Sequence, residues 1–322
     1  MEKYIKEKTI WAEEDVSKMR LDVFVAKQFP KYSRAHIQRA IRAHEIVLNG
    51  KAIKPHARIK PGDEIKVKIS EDSPVLPVAE NLKIPVVFEN KEYVVINKPA
   101  GIQVHPSKGI ISGTVVNWLL HRYPEIQKVG ETTKGNAPAD MRPGVVHRLD
   151  KNTSGVMVIA KTQRAFRYFK KLFQKRLVEK AYVAVVRGVV SQDEGTISFP
   201  IARSRRSPTK QAAYTGSIIP SSARDALTHY RTVKRYKEVS VLEVSPKTGR
   251  MHQIRVHCAA IGHPVLGDTT YGSKRTRGAN EPKRQLLHAK KISFVDPSGE
   301  KKVFLAPLPS DIKLFIRSLS AR

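Results

Sequence analysis

Apolar positions in the first seventy residues fall at helical spacing and then change period. From Met19 to Gln28, Leu21, Phe24 and Val25 share one side of a helix. Ser33 is a suitable N-cap for a second helix, Arg34 to Ala43, with Ile37, Ala40 and Ile41 on one face. Arg34, Gln38, Arg39 and Arg42 then occupy its other sides. Ile46-Val47-Leu48 runs into Asn49-Gly50, whose tolerance of positive φ favours a tight hairpin turn. After the turn Lys60-Pro61-Gly62-Asp63, the segment Glu64 to Ile69 alternates charged and apolar side chains as a half-buried strand does. These elements predict a small α/β unit over residues 1–70 with its core in 18–70. The stretch from Ser70 to Pro85 has three prolines, three acidic residues and no period, so residues 71–85 read as a linker.

Over residues 86–322 strands dominate. Val86-Val87-Phe88 and Tyr93 to Ile96 read as paired strands around Glu89-Asn90, and Ala181 to Arg187, Leu227 to Tyr236 and Val239 to Val244 as further strands. Thr114 to Arg122 and the basic stretch Gln163 to Leu177 read as helices, with Lys128 to Arg142 a loop. This predicts an α+β fold with a mixed, mainly antiparallel sheet. Near the middle, Gly144-Val145-Val146 and Val156 to Ala160 read as core strands on either side of the polar run His147 to Gly155. A polar loop held between core strands is a rigid mount for reactive groups.

Charge narrows the partners. The 322 residues hold 59 Lys and Arg against 29 Asp and Glu, a formal net charge of +30, with 40% hydrophobic residues. That apolar content suffices for a folded core, so the excess charge calls for a polyanionic partner, and nucleic acid leads. No apolar run approaches the roughly 18 residues of a membrane span, and Met1 to Lys8 lacks the apolar centre of a signal peptide. The single cysteine, Cys258, excludes an internal disulfide. The expectation is a cytoplasmic monomer associated with nucleic acid.

Three segments carry polar groups that packing does not require. Asp150 lies in the central loop; alone it reads as a turn former. Tyr182 lies in the strand Lys180 to Gly188, where alternation puts Tyr182, Ala184 and Val186 on one face; alone it reads as core. The third, Thr248 to Cys258 and on to Asp268, reads as a helix opened by Gly249 and stopped by Gly262 and Pro264, with His252 and Arg255 neighbours at i,i+3. A metal site has no support, because His252 and His257 do not align and His-Glu-x-x-His is absent. No second acid accompanies Asp150 as a two-carboxylate glycosidase needs, and no glycine-rich phosphate loop occurs.

The order Arg20-Leu21-Asp22, Ser33-Arg34, Val47-Leu48-Asn49-Gly50, Pro61-Gly62-Asp63 resembles the alpha-L RNA-binding module. The resemblance implies that the basic helix, with Arg34, Arg39 and Arg42, lies against structured RNA, gripping phosphates with little sequence readout. The larger region resembles the RluA-type family of RNA pseudouridine synthases, from Asn97-Lys98-Pro99-Ala100-Gly101 through His147-Arg148-Leu149-Asp150, Lys180-Ala181-Tyr182 and Gly249-Arg250-Met251-His252-Gln253-Ile254-Arg255-Val256-His257 to Leu287-His288-Ala289. It departs at Met251, often Thr or Ser in the family, and at Cys258, often Leu or Met.

That resemblance implies a cofactor-free, metal-free isomerase with Asp150 as nucleophile and Tyr182 and Arg255 as active-site partners. Arg255 would hold Asp150 charged and aimed, and Tyr182 would stack on the base and take up its late proton. Flipping the target base costs about a few kcal/mol, and Arg148 would enter the gap or hold the displaced backbone. Lys98, Arg250, His252 and Gln253 are expected as RNA or loop-supporting contacts, and His147 as orienting the loop through a backbone hydrogen bond. Arg203 to Arg206 and Lys274 to Arg277 read as solvated, phosphate-binding loops. Family members with this module typically act on large-subunit ribosomal RNA, so that is the expected substrate. A transfer RNA enzyme and a catalytically idle RNA-binding assembly factor are the alternatives.

Overall fold

The structure, a computed structural model, describes residues 5–13, 16, 19–29, 32, 34–70, 77–107, 110–131, 142–204, 207, 209–272 and 281–320. Ser33, the expected N-cap, lies outside these residues, as do 132–141 of the expected loop, Arg205, Arg206 and Lys274 to Arg277.

Two compact units result, their boundary falling between Leu76 and Pro77. In the first, β1 (Ile5–Trp11), β2 (Ile46–Leu48) and β3 (Glu64–Ser70) form an antiparallel sheet in the order β1-β3-β2. Helices α1 (Leu21–Gln28) and α2 (Arg34–Arg42) share its core through Leu21, Phe24, Val25, Ile37 and Ile41. Asn49 and Gly50 both take positive φ, 49° and 71°, as the hairpin turn requires. The sequence reading omitted β1, whose alternating charges in IKEKTIW hide a strand that Ile65 and Val67 pair across the sheet.

Asp22 is fully buried at the start of α1 and joins the two helices, accepting hydrogen bonds from Arg20 Nε (3.0 Å), Arg34 Nε (3.1 Å) and the Gln38 amide. Burial pushes its pKa up, and those three donors outweigh it to hold the carboxyl below its usual range. Arg34 is therefore partly engaged within the unit, whereas Arg42 is exposed; the side chain of Arg39 lies outside the described residues.

The second unit is built on one nine-stranded sheet. Its strands are β4 (Val86–Glu89), β5 (Tyr93–Lys98), β6 (Ser154–Ala160), β7 (Glu179–Arg187), β8 (Glu194–Ile197), β11 (Thr228–Arg235), β12 (Val239–Pro246), β13 (Leu287–Val295) and β14 (Lys301–Leu305). They run in the order β4-β5-β6-β13-β7-β12-β11-β8, with β14 beside the second half of β13; β9 (Ile201–Arg203) and β10 (Gln211–Ala213) form a separate pair. All these pairings are antiparallel except β6 with β13. The fold is α+β with a mainly antiparallel sheet.

Alternation along β7 creates two cores. Ala184 and Val186 join Leu242, Val244 and Leu287 under α5 (Gln253–Ala260), which contributes Ile254 and Cys258. Val183 and Val185 point the other way, toward Ile312, Phe315 and Leu319 of α6 (Ser310–Ser320). Helices α3 (Val115–Arg122) and α4 (Gln163–Gln174) pack Trp118, Leu119, Phe166 and Phe169 into the core of β5 and β6. Thr114 caps α3 in a reciprocal capping box with Asn117.

Two expectations change. Gly144-Val145-Val146 is not a strand; Val145 makes a single bridge to Ile159. Residues 77–85 are docked rather than free, with Ile84 buried, Asn117 Nδ2 donating to Val78 O and Glu80 accepting from Gly113 N–H. Their prolines remove period without removing contact, since extended backbone packs as well as it links. Among the described residues no helix is long and apolar enough to cross a membrane.

The close parallel pairing of β6 with β13 sets where the central loop emerges. Gly155, at φ 123°, pairs with Ala289, and a Cβ there would sit 2.2 Å from Ala289 O and 2.6 Å from Ala289 N. Both the conformation and the space require glycine. Gly155→Ala is expected to destabilise the protein by about 2–5 kcal/mol, summing backbone strain and overpacking. Urea unfolding would show the lowered midpoint; a midpoint unchanged from wild type would contradict so close an approach.

Candidate active site

Asp150 sits in the loop that enters β6, with Thr153 N–H closing a turn onto its carbonyl at 3.0 Å. The loop is clamped from several sides by buried polar groups. His147 accepts the Val158 N–H on Nε2 at 3.1 Å and stacks on Phe173 with ring centroids 4.5 Å apart. Lys98 is fully buried and donates to the carbonyls of Pro99 and Ile102 at 2.8 Å and of Lys151 at 3.1 Å. Arg284 donates Nη1 to Asn152 O at 3.0 Å while Nε and Nη2 hold Asp311 of α6. Ser154 Oγ meets His288 Nδ1 at 2.9 Å.

Arg255 comes from the first turn of α5 and is buried. Its Nε and Nη2 bind Asp268 at 2.6 and 2.9 Å, and its Nη1 donates to Asp150 Oδ2 at 2.9 Å. Asp268 Oδ1 also accepts the backbone N–H groups of Thr270 (2.8 Å) and Tyr271 (3.1 Å). Burial opposes the charged forms of Arg255 and Asp268. Their mutual hydrogen bonds overcome it, raising the Arg255 pKa and lowering that of Asp268. The Tyr271 ring lies 5.1 Å below the guanidinium.

Asp150 and Arg255 border a cavity of about 630 Å³. Its walls include Arg148 and Asp150 from the loop, Tyr182 from β7, and Arg250, His252 and Arg255 around the start of α5. That volume suits a flipped nucleoside, with aromatic, cationic and anionic groups converging on it. Tyr182 presents its ring on the same face of β7 as Ala184 and Val186. Burial, with the nearby Asp150 charge, pushes its phenol up, so it is protonated at neutral pH.

The site residues expected from sequence divide by their surroundings. Asp150, Tyr182, Arg255, Arg148, Arg250 and His252 are brought to one cavity, with Arg148 exposed and Arg250 partly held by the Asp225 carbonyl at 3.0 Å. Gln253 also borders it but is 4% exposed, and its amide binds Thr248, Arg250 N–H, Leu227 O and Thr228. Lys98 and Gln253 thus have their hydrogen-bonding groups turned inward and hold loops; neither is free for RNA. His252 is not one helical turn before Arg255 but caps α5 in the left-handed region, φ 57°.

Two groups escaped the sequence reading. Asp268 is a second carboxylate at the site, 118 residues from Asp150 along the chain (268 − 150). It could have been suspected as an acid between Gly267 and a polar turn in an acid-poor chain. Lys180, two residues before Tyr182, also borders the cavity, and burial draws its pKa down to about 8. Among the described residues no cluster of three metal-ligating side chains occurs.

Comparison with known proteins assigns the class. Residues 92–260 match the RNA pseudouridylate synthase family, and residues 19–65 match the S4 domain. An uncharacterized RNA pseudouridine synthase of Aquifex aeolicus is 38% identical over 303 residues, covering 91% of this chain and 92% of its own. The ribosomal large subunit pseudouridine synthase D of Pasteurella multocida is 37% identical over 327 residues, 97% of this chain and 95% of its own. The structure of human RNA pseudouridylate synthase domain containing 1 superimposes with a TM-score of 0.57 at 25% identity, covering 76% of this chain and 97% of its own. The class defined by fold and site is an RNA-modifying isomerase. The chain belongs to the RNA pseudouridylate synthase family and carries an S4 domain.

The buried imidazoles give the site an acid sensitivity. Burial, with Lys180 adding, holds the His147 pKa down at about 3, whereas an unfolded histidine titrates near about 6.5. The native ring is neutral, so the unfolded state binds the extra proton and stability falls as pH drops from about 6.5 toward 3. His147→Phe keeps a ring against Phe173 but strands the Val158 N–H, a loss of about 1–3 kcal/mol at neutral pH. In urea unfolding series that variant should lose less stability than wild type between about pH 7 and pH 5. Equal losses would mean that His147 is not kept neutral.

Proposed function

We propose that this RNA pseudouridine synthase acts on large-subunit ribosomal RNA, with Asp150 as nucleophile and no cofactor. The observation carrying this reading is the Asp150 carboxylate, tied through Oδ2 to Arg255, beside a nucleoside-sized cavity walled by Tyr182. Pseudouridylation breaks the bond from uracil N1 to ribose C1′ and forms one from C5 to C1′ within the same nucleotide. Electrons and atoms balance without a redox partner or group donor. An ionised carboxylate divides the rearrangement into easier steps, whether it adds to the ribose, adds to the base or promotes elimination to a glycal.

Arg255 holds the carboxylate through Oδ2 and leaves Oδ1 without a hydrogen bond among the described residues. Tyr182, protonated at neutral pH, supplies a stacking face and an O–H donor. As a neutral phenol it is a weak base, so the late loss of the C5 proton falls to Tyr182 only if its own proton passes on, and Asp150 is the adjacent acceptor. Arg148, exposed at the rim, is placed to occupy the gap left by a flipped base.

The substrate assignment rests on the S4 domain and on relatives such as the Pasteurella multocida synthase, whose name specifies the large ribosomal subunit. A net charge of +30 supports a polyanionic substrate. Asp150→Asn should lose turnover by at least ~10⁴-fold. RNA affinity should stay within a few-fold, because phosphate contacts dominate binding. Tritium release from C5-labelled RNA measures the first and filter binding the second; residual turnover near wild type would overturn the nucleophile assignment. Pseudouridine maps of total RNA from cells with and without the gene should differ in large-subunit ribosomal RNA. A difference confined to transfer RNA would redirect the substrate, and none at all would favour an idle binder.

A further inference from the structure

His252 stands between two hydrogen-bonding demands that select one tautomer. Its Nδ1 lies 2.8 Å from Tyr271 Oη, and Tyr271 Oη already accepts the Gln211 backbone N–H at 2.9 Å. The phenol has one proton, and giving it to a bare Nδ1 satisfies both groups. An Nδ1–H would instead crowd a second donor onto Oη and leave the phenol proton without an acceptor among the described residues. On the opposite ring edge, Nε2 faces Asp150 Oδ1 at 3.9 Å. A bare Nε2 would set a lone pair against a carboxylate oxygen, whereas Nε2–H meets an acceptor. Both edges place the proton on Nε2.

We propose that His252 is a positioning residue for Asp150: a neutral imidazole, its tautomer fixed by Tyr271, directing Nε2–H at the carboxylate oxygen that Arg255 leaves free. The inference rests on the reading of Asp150 as nucleophile. Oδ2 is taken by Arg255 and Oδ1 is left to react. At 3.9 Å the donor does not yet bind Oδ1, so the oxygen keeps its nucleophilic lone pairs. Such contacts are often long in a free enzyme and tighten around substrate. The ring stays neutral because burial lowers its pKa; Asp150 and Asp268 oppose that shift, and Arg255 and Arg148 assist it.

Two substitutions separate the donor from the backbone. A Gln amide nitrogen reaches about as far as histidine Nε2, while an Asn amide reaches only the Nδ1 position. Asn tolerates positive φ better than His or Gln, so a defect in His252→Asn does not come from the φ of 57°. His252→Asn should lower kcat by about 10–100-fold with KM and RNA affinity unchanged, and His252→Gln should return kcat to within about 3-fold of wild type. Long-range ¹H–¹⁵N correlation spectra of the full-length wild-type protein, needing no variant, should show His252 protonated on Nε2 alone at pH 7. In Tyr271→Phe the spectra should shift toward a tautomer mixture.

An Nδ1–H or doubly protonated ring in wild type, or wild-type kcat in His252→Asn, would overturn the proposal. Turnover in Asp150→Asn would remove the nucleophile reading, and the role of His252 with it. The spectrum reads the tautomer independently of activity, so the two failures are told apart.

Discussion

The site depends on one buried guanidinium shared by two carboxylates. Arg255 is only 6% exposed, so its charge needs fixed counter-charges. Asp268 meets that need first, gripping Nε and Nη2 as a fork and being held itself by two backbone N–H groups. A guanidinium fixed on two of its nitrogens has no rotational freedom left, so Nη1 points where the fork dictates. Asp150 receives that third corner. Asp150 is thereby oriented by Asp268. Gly267, at φ 73°, lets the chain turn into Asp268 where a Cβ would meet Arg284 O at 2.0 Å, so the anchor itself relies on close backbone packing.

A second layer of polar groups holds the loop that carries Asp150. Lys98 of β5 and Arg284 reach it from outside to bind its carbonyls, and His147 at its start accepts the Val158 N–H of β6. A polar loop buried on this scale leaves many N–H and C=O groups that water cannot reach, and each must find a partner. Several side chains that look suited to chemistry are therefore the ones that satisfy the backbone. The cost of moving the loop is the simultaneous loss of those bonds, which makes it rigid enough to aim a carboxylate.

Strand β7 links this site to the sheet. Its alternation sends Tyr182 toward α5 and Arg255, and sends Val183 and Val185 toward α6. Arg284 then ties α6 back to the loop that carries Asp150, through Asp311 on one side and Asn152 on the other. The two faces of the sheet are coupled through one side chain, so helix α6 buttresses a site from which it is separated by the sheet.

The sequence by itself determined many of the elements and the class of chemistry. Period-two alternation marked β3, apolar runs marked β5, β7 and β12, turn residues such as Asn49-Gly50 marked the hairpins, and the His-Arg-Leu-Asp run marked the loop, because these signals are local. It could not separate the solvent-facing Arg148 from the inward Lys98 and Gln253, since one cationic or amide side chain serves phosphate or buried carbonyls equally well. Nor could it show that Asp268 belongs with Asp150, or that His252 leaves the helix to cap it. Those were decided in three dimensions, where β6 pairs closely with β13 at Gly155 and α5 presents Arg255 between two acids. Pairing of groups more than a hundred residues apart is a property of the packed sheet, and no local pattern encodes it.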